Sequence, residues 1–194
     1  MASNTELANL ALAKLGAKRI NDLDTDTTIE ADECRTHFTT LRDALLRSHL
    51  WRFAKTRAVL SEDATAPAFG YAHAYNLPAD FLRLWPNVFV EGTYALEGTQ
   101  LLTNATAASI IYIRQVTDPT LFDPLFVSVF VLELAIALSM AIGQDKSLRQ
   151  LLDAELGPLT AQVRALDLQE QKIHGRRRVS WVQSRYINIG KCAR

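Results

Sequence analysis

Apolar residues recur at helical spacing at both ends of this chain and lose that period in its middle third. Ser3 and Glu6 have the spacing of a capping box. Leu7, Leu10, Ala11 and Leu15 then share one helical face ahead of Gly16, a residue suited to ending a helix. A second helix is predicted from Thr27, with Glu30 as its capping partner and Cys34, Phe38, Leu41 and Leu45 as its apolar stripe. An aromatic, basic, extended segment follows from Trp51 to Leu60. From Ser61 to Pro119 short β-like runs replace the helical period: Tyr71 to Tyr75, Val88 to Glu91, Thr93 to Leu96, Leu101 to Thr103 and Ser109 to Val116. Glu91-Gly92 and Glu97-Gly98 punctuate them at turn positions. Between Pro78 and Pro86, Leu82 and Leu84 form a short strand or a turn. In the last run Ile110, Tyr112, Arg114 and Val116 alternate with Ile111, Ile113 and Gln115, so both of its faces are expected to be covered.

Helical spacing returns at Leu125 to Ile142, which is apolar on nearly every side, with Asp123 and Pro124 at its start and Gly143 at its end. The final helical stretch runs from about Lys146 to Ile173. Its seam is Leu152, Leu156, Leu159, Val163 and Leu166, and Gly157-Pro158 predicts a kink or restart. The fold class expected from this pattern is mainly α: a helical bundle with an inserted small antiparallel β-sheet and an extended C-terminal arm. Residues 1–60 and 120–174 would form the two parts of the bundle, 61–119 the β insert, and 175–194 the basic arm.

At 194 residues, 48% hydrophobic and 22% charged, the chain suits one soluble domain or one domain with an insertion. Its formal net charge of zero hides an asymmetry. Residues 171–194 carry seven Lys and Arg and no acidic residue, so the other 170 residues carry a net −7. A basic arm on an acidic body suits an acidic protein surface or nucleic acid as partner. Two cysteines, Cys34 on an apolar stripe and Cys192 in the tail, make no disulfide framework and point to synthesis in a reducing cytosol. The first residues have neither a basic region nor an apolar run, and no signal peptide is expected. Leu125 to Ile142 reaches the lower length limit of a membrane span. Glu133 near its middle would cost about 2.5–3.5 kcal/mol there, and a helix apolar all round is what the centre of a bundle needs, so a buried core helix and no membrane partner are expected.

Candidate chemistry is sparse. Asp22, Asp24, Asp26, Glu30 and Glu33 fall at the acidic positions of a calcium loop, but Thr27 stands where the sharp turn needs Gly, and the first helix ends too early to be the entering helix. The same residues make an acidic turn feeding a helix N-terminus, which the dipole favours. The four histidines, at 37, 49, 73 and 174, have no metal spacing with the cysteines, and His49 reads as a helix-end packing residue. No phosphate loop and no nucleophile motif is present, so no enzyme, cofactor or metal is expected.

Several passages occur in a telling order. Ala11 to Gly16 is followed by the acidic turn Asp22 to Asp26, the long helix Ile29 to His49, and Leu45-Leu46-Arg47-Ser48-His49-Leu50-Trp51-Arg52-Phe53. Later come Asn76-Leu77-Pro78-Ala79-Asp80-Phe81-Leu82-Arg83, then Tyr112 to Pro119, leading into Leu121 to Phe126. This order, over roughly residues 4 to 145, resembles the tail tubular protein A type of phage head-to-tail adaptor. The resemblance implies a virion structural protein, made in the host cytoplasm and placed at the head–tail interface of the tail. It would form a dodecameric homo-oligomeric ring beneath the portal protein, carry the tail nozzle protein, and pass DNA through its lumen without sequence specificity.

The tail residues Arg176, Arg177, Arg178, Trp181, Arg185 and Tyr186 have three readings: a solvated terminus, a nucleic-acid contact, or a docking tail with aromatic anchors. The resemblance favours portal docking, since these adaptors attach through their terminal segments. An alternative from another class is a small DNA-binding regulator with a helix-turn-helix. Against it, the second helix carries Glu30, Asp32, Glu33 and Asp43 against Arg35, Arg42 and Arg47, and a recognition helix with that many carboxylates would be repelled by phosphate.

Overall fold

The computed structural model describes residues 3–86, 93–143 and 146–169. Helix α1 is Asn4–Lys14, and Ser3 and Glu6 form the reciprocal capping box that their spacing predicts. It closes with a left-handed Gly16 (φ 67), while Gly16 N donates to Ala13 O and Ala17 N to Leu12 O. That bond pair satisfies the helix's last carbonyls, and the positive φ favours glycine there. The buried face is Leu7, Ala8, Ala11 and Leu12, whereas Leu10, predicted inside, is 51% exposed.

Helix α2 is Ile29–Ser48. Its N-cap is Thr28, one residue later than predicted, with Thr28 Oγ1 accepting from Ala31 N at 3.4 Å. Glu30 therefore sits one position short of a capping box. Cys34, Phe38 and Leu45 are buried as expected, with Leu41 partly buried beside them.

Among the described residues seven strands follow: β1 (Lys55–Val59), β2 (Ser61–Glu62), β3 (His73–Asn76), β4 (Phe81–Leu84), β5 (Tyr94–Glu97), β6 (Gln100–Thr103) and β7 (Ser109–Arg114). They build two antiparallel sheets, ordered β1-β7-β4 and β2-β3-β6-β5. The chain passes from the first sheet to the second at Leu60, whose N donates to Ala108 O at 2.8 Å. β5 and β6 form a hairpin around Gly98-Thr99, with Gly98 at φ 57. The predicted run Val88 to Glu91 and the turn Glu91-Gly92 lie outside the described residues.

Strand β7 divides two cores. Ile111 and Ile113 face the helices, while Ile110 and Tyr112 face Tyr75 and Leu101 of the second sheet. The result is three layers: helices, the β1-β7-β4 sheet, and the β2-β3-β6-β5 sheet. Of the described residues 49% are helical and 18% are in strands, an α/β mix, which corrects the expectation of a mainly α bundle. The strands are short, and two sheets packed face to face need far more of the fold than a small insert would.

Helix α3, Pro124–Leu138, is the axis of the helical layer. Asp123 Oδ1 accepts from Leu125 N at 2.8 Å, Pro124 takes the first turn, and Ser139–Gly143 continues as a π-helical segment. Pro124–Gly143 is long and apolar enough to cross a membrane by length and composition, and half of it is buried within the fold. Phe126, Val129, Phe130, Leu132, Leu134 and Leu138 pack in the core among α1, α2 and α4. Helix α4, Lys146–Gln169, runs through Pro158 without the predicted restart. Pro158 lacks one amide hydrogen, a local loss, while Leu152 and Val163 on either side stay buried on the core. The seam stops there, since Leu166 is 38% exposed. The predicted end at Ile173 lies outside the described residues.

Candidate functional site

The passages that carry the family resemblance meet at the junction of helices and sheets. At the C-terminal end of α2, Trp51 folds back and donates from Nε1 to Leu45 O at 2.8 Å. Its ring meets Phe126 edge-on at 5.1 Å, and Phe126 also touches Phe53 and Phe122 at 5.1 and 5.0 Å. Edge-to-face aromatic pairs add roughly 0.5–1.5 kcal/mol each beyond burial. Strand β4 joins the same knot through a reciprocal pair: Arg47 Nη1 donates to Leu82 O at 2.6 Å, and Arg83 Nη1 to Arg47 O at 3.2 Å.

Asp80 links the middle passage to the third. It accepts from Tyr112 Oη at 2.8 Å, and its carbonyl accepts from Gln115 N at 2.7 Å. Gln115 Nε2 in turn donates to Asp43 Oδ2 at 2.6 Å, and the buried Arg42 donates to Asp43 Oδ1 at 2.9 Å. Burial first, and then the bond to Asp80, pushes the Tyr112 hydroxyl up to about 12. His49, at the helix end as predicted, places Nε2 3.0 Å from Asp167 Oδ2 on α4 and stacks edge-on with Trp51. What converges here is a rigid joint.

The acidic turn uses its carboxylates on its own backbone. Asp22 Oδ1 accepts from Asp24 N and Thr25 N, while the Asp26 carboxylate accepts from Asn21 N and Thr28 N. These bonds hold both acids below the usual carboxylate range. Among the described residues, no group of three or more His, Cys, Asp and Glu is placed to hold a metal. Burial, with help from Glu30 and Glu33, pushes the Cys34 thiol up to about 11, so it stays protonated at neutral pH. Glu133 is half-buried on α3; burial raises its pKa, and Arg164 of α4 pulls the other way.

The predicted portal-docking residues Arg176, Arg177, Arg178, Trp181, Arg185 and Tyr186 lie outside the described residues, as does Cys192. Two surface features were not anticipated. A groove of about 500 Å³ runs between α1 and the start of α3, lined by Leu7, Leu10, Ala13, Val127 and Arg19. On the opposite side of the molecule, residues 65–69 arch over Ala74 and Leu102 and hold Phe69 outward, 87% exposed. Asp80 and Gln115 stand within motifs visible in the sequence. Phe69, between Ala68 and Gly70, has no periodic partner to draw attention to it.

No protein-family model matches this chain, and no curated protein matches it.

Proposed function

We propose that the chain is a virion structural protein: a head-to-tail adaptor whose copies form a ring joining the portal to the tail nozzle and lining the DNA exit channel. The carrying observation is the convergence at the joint. Leu45 to Phe53, Asn76 to Arg83, and Tyr112 to Phe126 lie far apart in sequence and bear the adaptor resemblance, yet they lock together through Trp51, Asp80 and Phe126. In this reading the joint transmits load between the layer that meets the portal and the layer that meets the nozzle. The net −7 of residues 1–170 disfavours retention of DNA in the lumen, since phosphate dominates nucleic-acid affinity. Arg176, Arg177, Arg178, Trp181, Arg185 and Tyr186 supply the portal grip in this reading. Each arm binds weakly alone, and a ring of copies, dodecameric in the family it resembles, makes the attachment firm.

The regulator alternative loses support from α2. Its exposed residues Ile29, Asp32, Thr36, Thr39, Thr40, Ala44, Arg47 and Ser48 include a single base, and that base, Arg47, already donates to Leu82 O. The test is negative-stain imaging of the purified chain mixed with podophage portal rings. Full-length protein should decorate the portal with a ring of matching symmetry, and removal of residues 175–194 should abolish decoration without changing the circular dichroism of the helices. Tight, sequence-selective duplex binding at physiological salt, with bare portals, would overturn the adaptor reading.

A further inference from the structure

A ring built from one kind of subunit needs two different patches on each copy, one fitting the other, so that every contact is head to tail. The outer surfaces carry two such patches. Phe69 stands at the tip of a loop whose base is pinned: Asp63 N donates to Ala74 O, Gln100 Nε2 to Asp63 Oδ2, and Ala72 N to Asn104 Oδ1. A ring 87% exposed on a fixed base is a ready-made knob. On the far side of the molecule lies the 500 Å³ groove between α1 and α3, whose floor is Leu7, Leu10 and Val127. Leu10 there is 51% exposed, an apolar side chain left out of α1's own buried face.

The rims match in charge. Glu97 lines the hollow beneath the knob, and Arg19 lines the groove. The groove's one acid, Glu6, is turned to Ser3 N in the capping box. The sheet β1-β7-β4 stands between the helical layer and the sheet that carries the knob, so one copy cannot fill its own groove. We infer that Phe69 of one subunit inserts into the α1–α3 groove of the next and anchors the ring's subunit contact. This rests on the ring reading and specifies how the ring closes.

The test is assembly of the full chain followed by native mass spectrometry and sedimentation, alone and on portal. Phe69→Asp spoils only the knob and Leu10→Asp only the groove; both positions are exposed, so the thermal midpoint should hold. Each variant alone should need at least tenfold more protein to associate than the wild type. An equimolar mixture should form dimers and stop, because a single good knob meets a single good groove and only spoiled patches remain outside. Charge reversal gives an independent reading: Arg19→Glu or Glu97→Arg alone should weaken assembly, and the two together should restore it. Wild-type rings accompanied by unimpaired variants, by rings in the mixture, or by no rescue in the double reversal would overturn the knob-and-groove contact while leaving the ring intact. A wild type that stays monomeric both alone and on portal would overturn the ring reading and this contact with it.

Discussion

Among the described residues, the core between the helices and the β1-β7-β4 sheet holds 28 buried hydrophobic side chains, whereas the core between the two sheets holds six. They also differ in kind. The helical core is aromatic, centred on Phe126 and Phe130, while the sheet core is edged by polar links such as Tyr112 to Asp80 and Tyr75 Oη to Ala105 O. The disparity teaches that β7 is anchored from one side: the helical layer fixes its position, and the outer sheet docks onto a strand already held.

The largest effect should come from the helical core. Phe126 is fully buried against Trp51, Phe53, Phe122 and Phe130, and Phe126→Ala should cost about 3–5 kcal/mol and unfold both layers together in denaturant. Separate melting of the helices and sheets in this variant would break the comparison. Leu101→Ala, in the smaller core, should cost about 2 kcal/mol, because its cross-strand neighbour Leu96 is half-exposed and free to relax into the space. Hydrogen exchange should then speed up in β3, β5 and β6 while α3 keeps its protection.

Tyr112→Phe removes the hydroxyl that Asp80 accepts from and should cost about 1 kcal/mol. The proton on Tyr112 is held more tightly in the folded protein, up to about 12 against an ordinary 10. Its contribution is therefore complete below pH 10 and is lost as pH rises through 12. Denaturation midpoints measured across that window should fall for wild type and flatten for the variant. The smallest effect belongs to Glu133→Gln. Burial raises this carboxyl's pKa in the fold, so the stability favouring its protonated form is present in acid and lost as pH rises past the raised value. The variant should gain slightly at pH 7 and gain nothing once the wild-type carboxyl is protonated. A clear loss at pH 7 would mean that the attraction of Arg164 outweighs desolvation.

The helices were legible wherever a cap and a stripe agreed, as at Ser3 with Glu6, Asp123 with Pro124, and Cys34 with Phe38. Leu10 was misplaced because Leu7 and Ala11 belong equally to a stripe through Ala8 and Leu12, and spacing alone does not choose between them. Three strands of the second sheet, β3, β5 and β6, fall on runs read from the sequence, but strands of two to four residues do not reveal which partners they take, so their separation into a sheet of their own was not legible, and β2 has no buried side chain to mark it. Strand β1 read only as an extended segment, since its inward residues Thr56 and Ala58 are small. Of the candidate surfaces, the basic arm was visible through charge alone. The knob and groove required the fold, because Phe69 and Leu10 are conspicuous only once their neighbours have been buried elsewhere.

The central position of α3 also sets a timetable for synthesis. Helices α1 and α2 lean on α3 far more than on each other, and β1 waits for β7. The ribosome completes α2 at Ser48 and does not reach the end of α3 until Leu138. At 5–20 residues per second that interval lasts on the order of 10 s. Throughout it the stripe of Leu7, Leu12, Phe38 and Leu46 has no native surface to cover it. A chaperone that binds apolar helical faces would find its opening in this interval, and it would be displaced when Phe126 and Phe130 emerge.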